Sequence, residues 1–538
     1  MLFLRAFGSK CGGLEAKATP YATRARCFRV HFLFGTRLMI AKDATLAERH
    51  PRNISFSRSQ LGICLLALIL STCTQARDFE DRKPNILFIL ADDQRTDTLG
   101  VAGNLVINTP HLDSLARRGL RFERAYGMGS MNPAVCIPSR AMINSGRSLF
   151  RIKDDLEGIP ILPEQLRQAG YMTFGTGKWH NQTDSFLRGF EQGRAVFFGG
   201  MSDHTRIPIT DIDDGHLRQQ HLGEKFSSTL FADEAIQFLE SYNFSRPFYA
   251  YVAFTAPHDP RQAPEGYIDM YDPEGIPLPT NYLPQHPFFN GWMTGRDEQL
   301  AAWPRSPDVI RSQLAEYYGL ISHMDFEIGR LLAALEKTGE ADNTIVVFAA
   351  DHGLALGSHG LLGKQNLYEH STRAPLLFVG KDIPEGESSN ALVYLMDIFP
   401  TLAELAGVDS PGPVDGRSLV PIMRGRETEV RDSVYTAFGD VIRAVRDPRW
   451  KLIRYPHINR TQLFDLESDP QEMNDLSADA GQAGRIESLM ALLSQWQQQL
   501  DDPLPLTTRT PQAGEIDLTG HPRKPDRHQP AWIVEKYF

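Results

Sequence analysis

From Lys83 onward the chain alternates short runs of unbroken apolar residues with stretches whose apolar positions recur every three or four residues. "NILFIL" (85–90), "FYAYVAF" (248–254), "TIVVFAA" (344–350) and "PLLFVG" (375–380) are of the first kind, "HLDSLARRG" (111–119) and "ILPEQLRQAG" (161–170) of the second. A strand that is apolar without alternation has both faces covered, and helices are what covers them. The pattern therefore predicts an α/β fold with a large mixed, mostly parallel sheet flanked by helices. After "FPTLAELAG" (399–407) and the Pro- and Gly-rich "VDSPGPVDG" (408–416) the texture changes. "DSVYTAFG", "VIRAVRDPRWKLIRYP" and "TQLFDLESDP" predict strands joined by polar turns, and "RIESLMALLSQWQQQL" (485–500) predicts an amphipathic helix. The expected organisation is a main domain over 83–416, a smaller C-terminal α+β subdomain over 417–500 (an antiparallel sheet plus a helix), and a Pro-rich polar tail over 501–538 to which no structure is assigned.

In parallel sheets ligands gather beyond the carboxyl ends of the strands. "NILFIL" runs into Asp92 and Asp93, "FYAYVAF" into His258, and "TIVVFAA" into Asp351 and His352, so three strands deliver polar groups to one rim. Three carboxylates brought together raise one another's pKa and cannot all stay charged unaided. A divalent cation resolves the conflict, and the oxygen-rich set favours Ca²⁺. The plainer alternative is that Asp92 and Asp93 cap the turn that follows them.

The leader changes the picture of where the protein works. Residues 1–60 are basic and lack apolar periodicity, and they lead into "LGICLLALIL" (61–70) and "STCTQA". Arg52 and Arg58, a short apolar run and small residues before Ala76 predict a secretory signal peptide within an N-terminal extension over 1–76, and thus a periplasmic or extracellular protein. The run is too short to cross a bilayer, which takes about 20 apolar residues. A start at Met39 gives a more usual leader length. "LSTC" (70–73) weakly resembles a lipoprotein box, which makes lipid anchoring the lesser alternative and the only route by which a membrane contact is expected. Residues 1–76 carry 11 Lys and Arg against 3 Asp and Glu, so removing them shifts the net charge from −10 to −18. That acidity argues against nucleic acid as a partner, and an anionic substrate must be drawn in by a local cluster of cations.

Four of the five cysteines (Cys11, Cys27, Cys64, Cys73) lie in the leader, which leaves Cys136 alone in the exported part, with no intramolecular disulfide to form. It is a small buried hydrophobe, an intermolecular crosslinker or a reactive group. "CIPSR" (136–140) precedes a helix-like run, so Cys136 falls near a helix N-terminus, where negative charge is stabilised. No protease or redox motif surrounds it.

C-x-P-S-R followed by "SGR" (145–147) resembles the signature of the type I, formylglycine-dependent sulfatases of the alkaline phosphatase superfamily. The likeness extends over most of residues 83–475. "PNILFILADDQR", "TGKWH" (176–180), "APHDP" (256–260), "DHGLALGSHGLLGKQNLYE" (351–369), "AVRDPRWKLIRY" and "QLFDLESDPQEMNDL" resemble successive family segments in the family's order. The resemblance implies that Cys136 is oxidised to formylglycine by a formylglycine-generating or sulfatase-maturating enzyme, which reads the proline, serine and arginine. It implies one Ca²⁺ held by Asp92, Asp93, Asp351, His352 and residue 136, with His352 standing where many members have Asn. It further implies that Arg140 stabilises the ionised hydrate and that His180 takes the proton when sulfate is eliminated. Lys178, His258 and Lys364 then meet the sulfate oxygens, with His258 or Lys364 protonating the leaving alcohol. His204, His216, His221 and Arg261 match no core motif and are equally well read as structural or surface residues.

The expected function is hydrolysis of sulfate monoesters on a sulfated polysaccharide or oligosaccharide, since "HDPRQAPEGYIDMYDPEGIPLPTNYLP" (258–284) looks like the carbohydrate-directed members. Aryl or choline sulfate is the next substrate choice, and a phosphonate or phosphate ester hydrolase of the same superfamily the alternative enzyme. A carbohydrate-binding protein on a decayed sulfatase scaffold is the non-catalytic alternative.

Overall fold

The first predicted strand, β1 (Asn85–Ala91), is buried at every position and lies inside an eleven-stranded sheet. A computed structural model describes residues 82–410 and 412–538; the predicted signal segment lies outside the described residues. The remaining strands are β2 (Leu120–Tyr126), β3 (Gly129–Ser130), β4 (Met172–Lys178), β5 (Gln192–Phe197), β6 (Pro208–Asp213), β7 (His216–Leu217), β8 (His221–Leu222), β9 (Phe248–Ala253), β10 (Thr344–Ala350), β11 (Leu376–Val379), β12 (Glu387–Tyr394), β13 (Val434–Phe438), β14 (Ile442–Arg446), β15 (Trp450–Tyr455) and β16 (Arg460–Asp465).

The large sheet runs β12-β2-β11-β10-β1-β9-β4-β5-β6-β7, with β8 beside β6. Strands β10, β1, β9, β4 and β5 are parallel neighbours, and β1, β4, β9 and β10 are buried throughout, as unbroken apolar runs require. "PLLFVG" departs from the parallel set: β11 is antiparallel to both β10 and β2. Its own residues cannot reveal this, because a strand covered on both faces is equally apolar in either direction.

The main helices start and stop where the sequence signals them. In the 32-residue helix Pro307–Thr338, Ser306 Oγ accepts from Val309 N, Pro307 occupies the first turn and Gly339 closes the end at φ 76°. This helix packs on Ser227–Ser241. No helix among the described residues is long and apolar enough to cross a membrane.

The second sheet is five-stranded, β16-β15-β14-β13-β3. Its C-terminal strands pair antiparallel as expected, but its edge is β3, parallel to β13 and contributed by the segment just ahead of Cys136. Gly129 permits this: its φ is 100°, and a Cβ there would meet Ala437 O at 1.9 Å. The amphipathic helix Ala483–Leu500 lies against this sheet, and Leu489, Leu493 and Leu500 share a core with Tyr126, Met128, Met142 and Leu149 of the main domain. The subdomain thus has no separate core.

The tail, to which the sequence pattern assigns no structure, carries a helix, Ala531–Tyr537, that buries Ile533 and Tyr537. Tyr537 Oη donates to Glu316 Oε1 at 2.7 Å, and Lys536 Nζ reaches the same oxygen at 2.8 Å. Its few apolar anchors (Leu518, Ile533, Tyr537) are too widely spaced to give a periodic signal.

Candidate active site

Parallel register does the assembling. Ala91 pairs with Ala350 and Leu90 with Ala253, so Asp92, Asp93, Asp351, His352 and His258 leave the sheet on one edge. Lys178 ends β4, which is parallel to β9. The helix Cys136–Ser145 aims its N-terminus into this group, with Cys136 as its first residue and Gly146 ending it at φ 66°. Late in the chain, the loop after β10 returns Lys364.

Around Cys136 the charges interlock. Its Sγ lies 3.6 Å from Lys178 Nζ and 3.5 Å from Lys364 Nζ. Lys178 donates to Asp92 Oδ2 at 2.5 Å, and Lys364 donates to both oxygens of Asp93 at 2.8 Å. Arg140, with no exposure, donates from Nε to Asp351 Oδ2 at 2.9 Å and from its terminal nitrogen to Lys178 O at 2.6 Å. Its other terminal nitrogen stands 3.7 Å from Asp92 Oδ1. Burial works to raise all three carboxyls. Lys178 and Arg140 nevertheless hold Asp92 below its ordinary value, and His352, Arg140 and Lys178 do the same for Asp351. Asp93 bears the cost, pushed up to about 6 by burial and by its two acidic neighbours despite Lys364. Burial is the largest cause of that rise, and the repulsion expected from Asp92 and Asp351 is a smaller part of it.

The donor set could hold a metal ion. Asp92, Cys136, Asp351 and His352 each offer a ligand atom within 4.8 Å of the others. Asp92 Oδ1 has no hydrogen-bond partner although it is buried. His352 Nδ1 faces Gly353 O at 2.9 Å and must donate to it, so in the neutral ring Nε2 is the nitrogen that carries the lone pair. That lone pair lies 3.1 Å from Asp93 Oδ1 and 3.7 Å from Asp351 Oδ1. Acceptors do not face each other at such distances unless a proton or a cation lies between them.

The two histidines differ in how they are held. His258 Nδ1 donates to Asp259 O at 2.8 Å, which leaves Nε2 3.7 Å from Asp93 Oδ2. His180, at φ 71°, has no partner on its buried Nδ1. Burial first, then the nearby Lys178 and Arg140, push the His180 imidazole well below its ordinary value, and burial with Lys364 does the same to His258. Cys136, His180, His258 and Lys364 line a cavity of about 420 Å³ together with Pro133, Met201, Trp292, Arg296, Asp297 and Gln365.

All of the sequence-predicted site residues therefore meet at one place. Of the residues outside the motifs, His204 is buried, with Nδ1 2.7 Å from Ser227 Oγ and Nε2 3.1 Å from His258 O, so it braces the His258 loop. Arg261 is tied to Gln313, and His216 and His221 are exposed on short strands. The segment 258–284, expected to face sugar, supplies only His258 to this cavity; Tyr271 bonds Ser322 Oγ on the long helix at 2.6 Å, and Tyr267 packs on His323. The cavity's aromatic wall is Trp292 instead. Trp292, Arg296 and Gln365 carried no motif by which the sequence alone could single them out.

Residues 84–408 match the family description "Sulfatase", and residues 357–499 match "N-sulphoglucosamine sulphohydrolase, C-terminal". The chain belongs to the sulfatase family of the alkaline phosphatase superfamily and is a hydrolase that removes sulfate from its esters. It is 28% identical to an N-acetylglucosamine-6-O-sulfatase of Bacteroides thetaiotaomicron over 527 residues, covering 82% of this chain and 91% of the relative. It is 31% identical to an arylsulfatase of Clostridium perfringens over 470 residues, covering 76% and 94%. Among solved structures, one of a protein in complex with its substrate D-glucosamine-2-N,6-O-disulfate superposes with TM-score 0.67 at 25% identity, covering 79% of this chain and 99% of that one.

Proposed function

We propose that this sulfatase is exported and acts on sulfated carbohydrate, with Cys136 matured to formylglycine and Ca²⁺ held by Asp92, Asp93, Asp351, His352 and residue 136. The observation that carries the reading is the position of Cys136 between two buried ammonium groups at 3.6 and 3.5 Å, in the lining of a cavity. The mature residue with a cation held beside it would supply a hydroxyl of lowered pKa as nucleophile, which a buried thiol pushed up to about 12 by desolvation does not.

The chain's own residues do the rest. Lys178 and Lys364 flank the nucleophile from two sides and neutralise the sulfate oxygens as charge moves onto them. Arg140, fixed by Asp351 and by Lys178 O, holds a permanent positive charge beside residue 136. His180 is neutral at working pH and accepts the proton when the product leaves. His258 directs Nε2 at the reacting group, where with Lys364 it serves the leaving oxygen. The relatives' names, an N-acetylglucosamine-6-O-sulfatase and a protein bound to a sulfated glucosamine, support a sugar substrate. Trp292 in the cavity wall suits a sugar ring face.

The test is release of inorganic sulfate from a panel of sulfated glycosaminoglycan and algal oligosaccharides, run beside paired aryl sulfate and aryl phosphonate esters. Turnover of one or more sugars supports the reading. Activity confined to the aryl sulfate removes the carbohydrate assignment, and faster turnover of the phosphonate overturns sulfate as the preferred ester.

A further inference from the structure

Arg296 borders the active-site cavity, yet it has no donor left for a substrate. Its Nε donates to Asp526 Oδ2 at 3.0 Å. One terminal nitrogen donates to Asp259 Oδ1 at 2.7 Å and Asp297 Oδ1 at 3.1 Å. The other donates to Asp259 Oδ2 and Asp526 Oδ2, both at 2.5 Å. A guanidinium has five N–H bonds, and all five are committed to three carboxylates. Gln529 Nε2 adds a second donor to Asp259 Oδ2 at 2.7 Å. Asp526 and Gln529 lie beyond residue 499, outside both matched family regions.

Behind Asp259 stands His258. The Asp259 carbonyl accepts from His258 Nδ1 at 2.8 Å, and Asp259 Oδ1 lies 3.3 Å from the same nitrogen. One residue therefore fixes both the tautomer and the tilt of the imidazole, and the knot on Arg296 fixes that residue. We propose that Asp526 and Gln529 are positioning residues for catalysis: the C-terminal segment locks Arg296 and Asp259 and through them holds His258 Nε2 on the reacting group. It follows that Arg296 is a brace and not an anion receptor, and that Lys178 and Lys364 supply the cationic charge for sulfate.

The proposal rests on the role given above to His258, and the test separates the two. Asp526→Ala, Asp526→Glu and Gln529→Ala are made in the full-length matured enzyme, each alone and combined with His258→Ala. The readouts are kcat and KM on a sulfate ester with a poor leaving alcohol, where loss of the proton from His258 is felt most, together with Tm. Asp526→Ala is expected to lower kcat on the order of 10-fold with little change in KM, because small misplacements of a reacting group are costly. Gln529→Ala should lower it less, and Asp526→Glu should recover most of the loss. In the His258→Ala background the same substitutions should change kcat less than about twofold, since residues acting through one another are not additive. An equal fold loss in both backgrounds overturns the proposal, as does an unchanged kcat in Asp526→Ala. If Asp526→Ala fails to fold, Gln529→Ala carries the same comparison. Full activity in His258→Ala overturns the role of His258 itself and the proposal with it, whereas a slow His258→Ala with additive tail substitutions overturns the proposal alone.

Discussion

Arg140 and Asp351 form an ion pair of 2.9 Å in which neither side chain has any exposure. A pair so placed is weak evidence of net stability, but removing one partner strands the other charge without water. In Asp351→Ala the guanidinium would keep only the Lys178 carbonyl and Asp92 at 3.7 Å. We expect the variant to lose about 3 kcal/mol or more of unfolding free energy, read by urea denaturation in the presence of chelator so that metal binding does not contribute. A loss below about 1 kcal/mol, within the range of an exposed pair, would mean that the site relaxes or admits water when the carboxylate goes.

Metal loading should be visible without any assay of turnover. Asp93, pushed up to about 6, and the unpartnered Asp92 Oδ1 and His352 Nε2 would be relieved together by one cation. Adding Ca²⁺ at 100 times its Kd should stabilise the chelated protein by about 2.7 kcal/mol, seen as a rise in Tm. Asp93→Asn should weaken that response, and no Ca²⁺-dependent rise in Tm would remove the metal assignment. Activity should fall on chelation and return with Ca²⁺ in step with Tm.

Cys136 should be found as formylglycine by peptide mass spectrometry when the protein is made in a host with the maturation enzyme. Unconverted protein offers a second check. Burial pushes its thiol up to about 12, so at pH 8 only about one thiol in ten thousand is ionised. Iodoacetamide should leave the native thiol unlabelled at neutral pH, label it faster as pH rises, and label it readily after unfolding in urea. Rapid labelling of the folded protein at pH 7 would show an exposed or activated thiol, and full turnover by wholly unconverted protein would defeat the maturation proposal.

What the sequence revealed and what it hid have the same physical basis. The unbroken apolar runs of β1, β9 and β10 announced buried parallel strands, and the polar residues that end them had to emerge together because parallel strands share a direction. Asp92, His258 and Asp351 were legible for that reason. The antiparallel course of β11 and the pairing of β3 with β13 were not, since burial says nothing of direction and a two-residue strand carries no pattern. Arg296, Asp526 and Gln529 escaped notice because their meaning lies in mutual contacts 230 residues or more apart along the chain. Trp292 was hidden for a related reason: one aromatic in a polar loop looks the same whether it faces a core or a cavity.

The two active-site histidines should fail in different ways. His180 is held neutral, with a buried Nδ1 that has no partner, which suits a proton acceptor in the step that releases sulfate from the enzyme. His258 is fixed by Asp259 with Nε2 turned toward Asp93 and the cavity, which suits contact with the ester's leaving oxygen. In His180→Ala the first step should proceed and the second stall, so a sulfated form of the enzyme should accumulate and be seen by intact-mass analysis after substrate is added. His258→Ala should slow the first step, and the loss should grow as the leaving alcohol becomes poorer, because an activated phenol departs without a proton while a sugar hydroxyl does not. The comparison is made on one aryl sulfate and one sulfated sugar for both variants. Loss of one proton-transfer partner commonly costs about 10²–10⁴-fold, and for His258→Ala that range is expected on the sugar, with a smaller cost on the aryl ester. An adduct found only in His258→Ala would exchange the two assignments, and equal losses on both substrates with no adduct in either variant would leave both histidines as binding residues.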